Sequence, residues 1–407
     1  MQKVSMTAGA IIALVASLLA IPIISRGLSP EKLSIATVSI LAHGLFGIAD
    51  FFRPILVRNI SDNEEFATYG NLFLPNLVIG LSLSAGSAVI SLFVHESYLY
   101  LGLSISFSLL LFSLYTPLWG TMDGNFQMGT AYLVRSLSVA MLYGLIAIGA
   151  VFDLDYMNYG AISISNLATL IIFWLFARKY IRKGKFNAGI GYIRQASYLF
   201  VQNVFKLIND FGDRVFASAY LPGAYVGGYN LLSDLSARVN FPAQLASSYY
   251  YPVICREPQK ASLLLWSGVV FSTFLFAICV TIYAFGVEIF VWYLGEGRRH
   301  IFPIFCGLLA CFSNYSLSFF GQSVARSLSL DRSLSLSFGA SAVLGLSYSL
   351  INMHDMNIYR VMIIALLMKS SSVFMLLGLL RRFPAQSICG LIVSLFSFSF
   401  VINIYIR

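Results

Sequence analysis

Long apolar stretches separated by short polar segments run through the whole chain of 407 residues. A helix needs roughly 20 apolar residues to cross about 30 Å of hydrocarbon. Because an open sheet would leave its backbone groups unpaired in lipid, we predict a helix for each stretch of that length. The thirteen predicted spans cover residues 7–25, 34–56, 71–94, 98–119, 129–151, 159–177, 196–219, 226–253, 262–293, 301–325, 333–352, 358–380 and 386–406.

The composition supports this interpretation, since 58% of the residues are hydrophobic and only 11% are charged. Average soluble domains carry roughly 25% charged residues. A soluble globule and a disordered chain are therefore excluded. An outer-membrane barrel is disfavoured because its strands would alternate apolar and polar residues over about ten positions. The sequence predicts an all-α polytopic membrane protein.

The longest polar segment, residues 178–195, is rich in Lys and Arg and separates two blocks of comparable length. Similar turn-forming residues follow spans one and seven, at 27–31 and 220–224, which suggests an internal repeat. We therefore predict a six-helix lobe over residues 1–185 and a second six-helix lobe over residues 186–383. Residues 384–407 would add a further transmembrane helix without a counterpart in the repeat.

The flanking Lys and Arg residues predict the orientation of the chain. Fourteen of them, including Lys3 and six between 178 and 194, flank one end of the spans, and six flank the other. Cytoplasmic loops of membrane proteins carry the excess of cations. The N-terminus is therefore predicted to lie in the cytoplasm, and the C-terminus outside if the last stretch spans the membrane.

Cations inside the predicted spans are the main candidates for a functional site. Each costs about 2.5–3.5 kcal/mol at the centre of a bilayer, so most should face a hydrated cavity or a partner group. They outnumber the carboxylates of the spans, which favours an anionic ligand. For one of them, Arg135, snorkelling to the inner interface is an equally good interpretation. The six cations are Arg53, Arg135, Lys206, Arg214, Arg238 and Lys369.

Helical spacing groups many of these charges. Span seven places Gln202, Lys206, Asp210, Asp213 and Arg214 in one stripe. Such a stripe predicts either a binding site or ion pairs that neutralise each other.

Two further spans repeat the pattern. Span eight carries Asn230, Asp234 and Arg238 at intervals of four, and Asp50 precedes Arg53 by three residues in span two. Here too, pairing within one helix is the alternative to a binding role. Lys369 has no acid within four residues, so its partner must come from another helix, water or a ligand. We expect Lys206, Arg238 and Lys369 to lie around a site near the membrane midplane.

Other reactive residues give weaker signals. The five cysteines lie in or beside apolar runs without a C-x-x-C pair, which predicts packing rather than a metal site or disulfides. The four histidines are scattered near span ends. No local signature of a hydrolase is present, and the short segments between spans leave no room for a soluble catalytic domain.

Several segments resemble one family of membrane proteins. The stretch from Ile21 to Lys32, IPIISRGLSPEK, and the stretch from Ala49 to Arg58, ADFFRPILVR, resemble the ends of the first two helices in bacterial polysaccharide flippases of the O-antigen, Wzx type. The segments 209–214, NDFGDR, and 226–230, VGGYN, are similar in style. These flippases belong to the superfamily of multidrug, oligosaccharidyl-lipid and polysaccharide exporters.

The resemblance implies two six-helix lobes around a central cavity that opens alternately to each side of the bacterial inner membrane. It implies a flippase, not an enzyme, that moves an undecaprenyl-pyrophosphate-linked oligosaccharide from the inner to the outer leaflet. Expected partners are this lipid-linked oligosaccharide, membrane lipids and other polysaccharide-assembly proteins, with no nucleic acid, cofactor or metal. Candidate cavity cations are Arg53, Lys206, Arg214, Arg238 and Lys369, and candidates for ion coupling are Asp50, Asp210, Asp213 and Asp234.

Two alternatives remain open. An organic-cation antiporter of the same fold would need acids to dominate its cavity. A membrane polysaccharide polymerase or glycosyltransferase would be expected to carry a sizeable extracytoplasmic loop, and the segments on that predicted side are short.

Overall fold

The computed structural model describes residues 2–46, 69–92, 96–125, 127–180, 189–328 and 330–406. Within these residues all regular secondary structure is helical, which confirms the predicted fold class. The α-helices are α1 Gln2–Gly27, α2 Pro30–Leu45, α3 Tyr69–Leu92, α4 Glu96–Gly124, α5 Met128–Phe152, α6 Asp155–Ala177, α7 Gly189–Tyr220, α8 Gly223–Ala237, α9 Phe241–Arg256, α10 Ala261–Phe285, α11 Val287–Leu294, α12 Phe302–Ser327, α13 Asp331–Ile351, α14 Ile358–Met368, α15 Ser371–Leu379 and α16 Pro384–Ile406.

Every predicted span corresponds to one of these helices or to two in succession. Ten of the described helical segments are long and apolar enough to cross a membrane. The second part of span two, from residue 47 onward, lies outside the described residues. Large apolar side chains such as Phe285 and Ile351 are about four-fifths exposed, as expected for side chains that face lipid. The chain is a multi-pass membrane protein.

Three spans predicted as continuous are interrupted. A 3₁₀ turn at Arg238–Asn240 separates α8 from α9, and Pro242 follows it with no backbone N–H to extend the hydrogen bonds of α8. Gly286 separates α10 from α11. In span twelve, α14 ends at Met368 and α15 begins at Ser371, so Lys369 lies at the break. Uniform hydrophobicity does not reveal such breaks.

The chain forms two compact units, unit 1 from Met1 to Asn203 and unit 2 from Val204 to Arg407. The predicted lobe boundary between residues 185 and 186 lies outside the described residues. In unit 1, α1 packs along α5, and α4 packs against α3 and α6. Tyr115, Tyr143 and Phe173 are fully buried in this unit.

Unit 2 is built around α12. This helix contacts α8, α9, α10, α15 and α16, and nearly all of its side chains are buried. The last predicted span forms α16, which packs against α10, α12 and α15. By its contacts, the thirteenth stretch is an integral helix of unit 2.

An ion pair joins two connections of unit 1. Ser29 caps the N-terminus of α2 by accepting a hydrogen bond from the backbone N–H of Lys32, and Pro30 occupies the first helical position. The Lys32 Nζ lies 2.6 Å from Asp153 and 2.9 Å from Asp155, at the turn between α5 and α6. Hydrogen bonds to these two carboxylates raise the pKa of Lys32.

Candidate functional site

Six charged residues of unit 2 form one connected group, here called the charged cluster: Asp210, Asp213, Arg214, Asp234, Arg238 and Lys369. The first three lie on the polar stripe of α7. Asp234 lies on α8 and Arg238 at its end, while Lys369 lies at the break between α14 and α15. The structure thus brings together six of the nine predicted site residues. Asp50 and Arg53 lie outside the described residues.

Lys369 is the most deeply buried cation of the cluster. Its Nζ donates to the backbone carbonyl oxygens of Asn209 at 2.5 Å and Asp210 at 3.1 Å, and to a carboxylate oxygen of Asp213 at 3.1 Å. The side chains of Lys369 and Asp213 are both 0% exposed. The ring of Phe312 lies 5.0 Å from the same ammonium group. All three ammonium protons are therefore engaged, and the partner predicted to come from another helix is α7.

The close approach of α7 to this break depends on a missing side chain. A Cβ atom added to Gly212 would lie 2.6 Å from the sulfur of Met368, the last residue of α14. A Cβ atom added to Gly345 on α13 would also collide with Met368. Glycine at both positions lets Met368 fit between α7 and α13, and so places Lys369 against the carbonyls of α7.

Asp213 also accepts hydrogen bonds from two hydroxyl groups of α8. The Tyr229 hydroxyl donates to it at 2.9 Å and the Ser233 hydroxyl at 3.4 Å. Both residues are fully buried. A carboxylate inside an apolar helix bundle is tolerated when it is paired and hydrogen-bonded in this way.

Asp234 lies between two arginines. Its carboxylate is 3.5 Å from Nη1 of Arg214 and 3.0 Å from Nη2 of Arg238. The Nε of Arg214 donates to Ser233 at 2.8 Å, which links this triad to Asp213. The pair of Asp234 and Arg238 is the intrahelical ion pair that the spacing of four residues allows.

Asp210 has an aromatic partner on α12. The Tyr315 hydroxyl donates to its carboxylate at 2.5 Å. Lys206, one turn earlier on α7, is half-buried. The six members of the charged cluster comprise three carboxylates and three cations, and each cation contacts a carboxylate. Within this group, therefore, cations are not in excess of carboxylates.

Sequence reasoning missed several members of the network. Asn209, Tyr229, Ser233 and Tyr315 supply a carbonyl or a hydroxyl group to the charges. A chain with many serines and tyrosines in its spans gives no local signal that distinguishes these four. The one clue is the face of its helix on which each residue lies. That clue can be used only when it is known which helices pack against the charged stripe of α7.

The cluster holds carboxylates, cations and hydroxyl groups in direct contact with one another. Within the described residues, no group of three or more His, Cys, Asp or Glu residues could hold a metal ion. Cys279, Cys306 and Cys311 are free and buried, and the Cys279 thiol donates to the carbonyl of Cys306 at 3.1 Å. The side chain of Cys255 lies outside the described part of the chain.

Solved structures of transporters share this fold. The lipid II flippase MurJ in an inward closed conformation is similar with a TM-score of 0.71 and 16% identity, over 98% of this chain and 92% of that chain. An inward-facing multidrug resistance transporter of the MATE family, described as a member of the MOP superfamily, gives 0.63 and 11% identity over 99% of both chains. The MATE multidrug transporter DinF-BH gives 0.62 and 15% identity over 93% of this chain and 94% of that chain.

The alignments cover nearly the whole chain, so the similarity extends to the complete fold. Because the sequence identities are low, the similarity shows the fold alone. The chain shares the all-helical fold of these transporters. No protein-family model and no curated protein sequence matches the chain.

Proposed function

We propose that the protein is a flippase that moves a polyprenyl-pyrophosphate-linked oligosaccharide, such as an O-antigen repeat unit, across the bacterial cytoplasmic membrane by alternating access. The observation that carries the proposal is the fold shared over nearly the whole chain with a lipid II flippase, at a TM-score of 0.71. The two drug transporters of the same superfamily give 0.63 and 0.62.

The physical need for such a protein supports the proposal. A pyrophosphate and sugar hydroxyls cannot cross hydrocarbon unaided, because burying unpaired charges and polar groups costs several kcal/mol each. The polyprenyl tail can stay in lipid. Ionisable residues within transmembrane helices are rare and by default mark a transport pathway or a relay. The charged cluster is such a group.

Different members of the cluster suit different roles. Lys206 is half-buried and the Arg238 side chain is 19% exposed, so both remain reachable by a phosphate. Arg214 and Arg238 contact the same carboxylate, that of Asp234. Arg214 would also contact the phosphate once Asp234 is protonated and releases it. Lys369 is completely enclosed, so its contact with a headgroup requires the pair with Asp213 to open first. In this proposal Asp210, Asp213 and Asp234 couple such openings to proton or cation binding, and Arg53 and Asp50 keep the roles that the sequence predicts for them.

An organic-cation antiporter of the same fold is the second candidate. The observation that favours it is the equal number of carboxylates and cations in the charged cluster, where protonation or displacement of one partner would expose the other. The fold shared with a MATE multidrug transporter agrees with this alternative.

A transport assay separates the two candidates. Inverted membrane vesicles containing the protein are given a lipid-linked oligosaccharide or a fluorescent cationic dye, and translocation of each is followed. The proposal predicts movement of the lipid-linked oligosaccharide only, and restored surface polysaccharide in a flippase-deficient bacterium. Movement of the dye alone would establish the antiporter instead.

Variants of the charged cluster and of Lys206 then test the site. Arg238→Ala and Lys206→Ala should reduce translocation at normal protein levels, because each removes a reachable cation. Lys260→Gln is the matched control, since it removes an exposed cation of unit 2 that pairs with Glu257. Full activity in both variants would contradict the assignment of these cations.

A further inference from the structure

Arg135 of unit 1 occupies an unusual setting for a cation. It lies on α5, and its guanidinium carbon is 5.5 Å from the ring centre of Phe112, 5.9 Å from that of Tyr115 and 5.0 Å from that of Trp119. These three aromatic residues form one face of α4. The guanidinium is therefore held by the negative faces of aromatic rings, which attract a cation without neutralising it.

One hydrogen bond fixes the orientation of this side chain. The Nη1 atom of Arg135 donates to the Tyr115 hydroxyl at 2.6 Å, and that hydroxyl donates to the side-chain oxygen of Asn166 on α6 at 3.1 Å. Tyr115 and Asn166 are fully buried. Three helices of unit 1 thus hold the guanidinium in place, while Arg135 itself is only partly buried.

Arg135 differs from the cations of the charged cluster because no carboxylate of the described residues neutralises it. Arg214, Arg238 and Lys369 each contact a carboxylate. Among the described residues, no carboxylate forms an ion pair with Arg135, and its Nε and Nη2 atoms donate no hydrogen bond. A preorganised guanidinium with free donors is suited to a phosphate, which it can contact through two parallel N–H groups.

The depth of the group argues against simple snorkelling. Arg135 lies seven residues after the start of α5, about 10 Å from the predicted cytoplasmic end. Its hydrogen-bond partner Tyr115 lies nine residues before the end of α4, about 13 Å from that same side. The guanidinium is thus held against α4 rather than extended to the interface.

We propose that Arg135, braced by Tyr115 and the aromatic face of α4, is a phosphate-binding residue of the protein and contacts the pyrophosphate of the lipid-linked substrate. The inference rests on the proposed function and adds to it a contact in unit 1, outside the charged cluster. The ring faces and the Tyr115 hydroxyl hold the guanidinium in place without supplying a carboxylate.

The test compares two lipids that share a tail and differ in the headgroup, undecaprenyl pyrophosphate and undecaprenol. Binding of each to the purified protein in detergent is measured by native mass spectrometry, and the preference is the ratio of the two dissociation constants. Hydrogen bonds to charged groups are worth about 1.5–3 kcal/mol, so Arg135→Gln should lower the preference about 10- to 150-fold. Arg135→Lys should keep part of it, because it retains the charge without the planar fork.

Lys179→Gln is the matched control. Lys179 is also a cation over an aromatic ring, 4.9 Å from the ring centre of Tyr180, but it is exposed beyond the end of α6. This variant should keep the wild-type preference. Because the ratio is taken within one preparation, a loss of folded protein weakens both signals equally and leaves the ratio unchanged.

Two results would overturn the inference, and they differ in what else they remove. A wild-type preference in Arg135→Gln would remove the role of Arg135 and leave the flippase proposal standing. A wild-type protein that binds both lipids equally would remove the pyrophosphate substrate together with the role of Arg135.

Discussion

Breaking the buried pair of Lys369 and Asp213 should cost a large share of the stability of unit 2. In Lys369→Met, the ammonium is lost and the enclosed Asp213 carboxylate keeps only the hydroxyl donors of Tyr229 and Ser233. Breaking a buried ion pair by removing one partner costs about 3–5 kcal/mol. Whole domains are stable by only about 5–15 kcal/mol, so this variant should be severely destabilised.

A double-mutant cycle measures the pairwise part of this loss. Asp213→Asn and Lys369→Met are made singly and together, and each protein is unfolded in mixed micelles while tryptophan fluorescence is followed. The double variant should be less destabilised than the sum of the single variants, with a coupling energy of about 1–3 kcal/mol. Ordinary hydrogen bonds between transmembrane helices average only about 0.6 kcal/mol in such cycles.

A matched control keeps the interpretation specific. Lys260→Met removes an ammonium that pairs with Glu257 at 2.7 Å, but both side chains are about half exposed. Exposed pairs contribute about 0–1 kcal/mol, so this variant should unfold almost like the wild type. If Lys369→Met also unfolds like the wild type, or if the two cluster variants are additive, the buried pair does not stabilise unit 2 as argued.

Three further predictions concern other contacts. Asp234→Asn should lower the melting temperature more than replacement of either arginine that it contacts, because it leaves two cations without their shared carboxylate; thermal unfolding of the three purified variants checks the order. Gly212→Val should destabilise the protein because its side chain collides with Met368, and Met368→Ala in the same chain should recover part of the loss. Lys32→Met should lower the melting temperature slightly, because the pair is largely exposed, and by the same amount at neutral and mildly alkaline pH, where Lys32 is charged in both the folded and the unfolded chain. The pKa of Lys32 is raised in the folded protein, so the advantage of the wild type should disappear only as the pH rises above the ordinary value of 10.5 and through the raised pKa. A loss confined to neutral pH would contradict the ion pair with Asp153.

The membrane fold was readable from the sequence because hydrocarbon imposes a simple length rule. About 20 apolar residues are needed for each crossing, and every stretch of that length is helical, apart from short breaks, wherever the structure describes it. The helix breaks were not readable. Lys369 interrupts a stretch whose apolar pattern is otherwise uniform, and Pro242 gave only a local hint of the turn before it.

The charged positions were also predicted from the sequence, because a cation within an apolar span is conspicuous and costly wherever it points. The stripe of α7 and the spacing of Asp234 and Arg238 followed from the helical repeat alone. That part of the site depends only on which residues share one face of a single helix, and the helical repeat fixes this from the sequence.

The identity of each charge's partner was decided by the tertiary structure. Lys369 reaches Asp213 across 156 positions of the chain, and it does so because glycine at position 212 lets two helices approach. Arg135, by contrast, is held by aromatic rings and one tyrosine hydroxyl. Composition counts charges but not the distances between them, and electrostatic energy depends on those distances. Hence the sequence alone could show that the spans contain charges, while only the packing of helices decided which cations pair with a carboxylate and which one contacts aromatic rings instead.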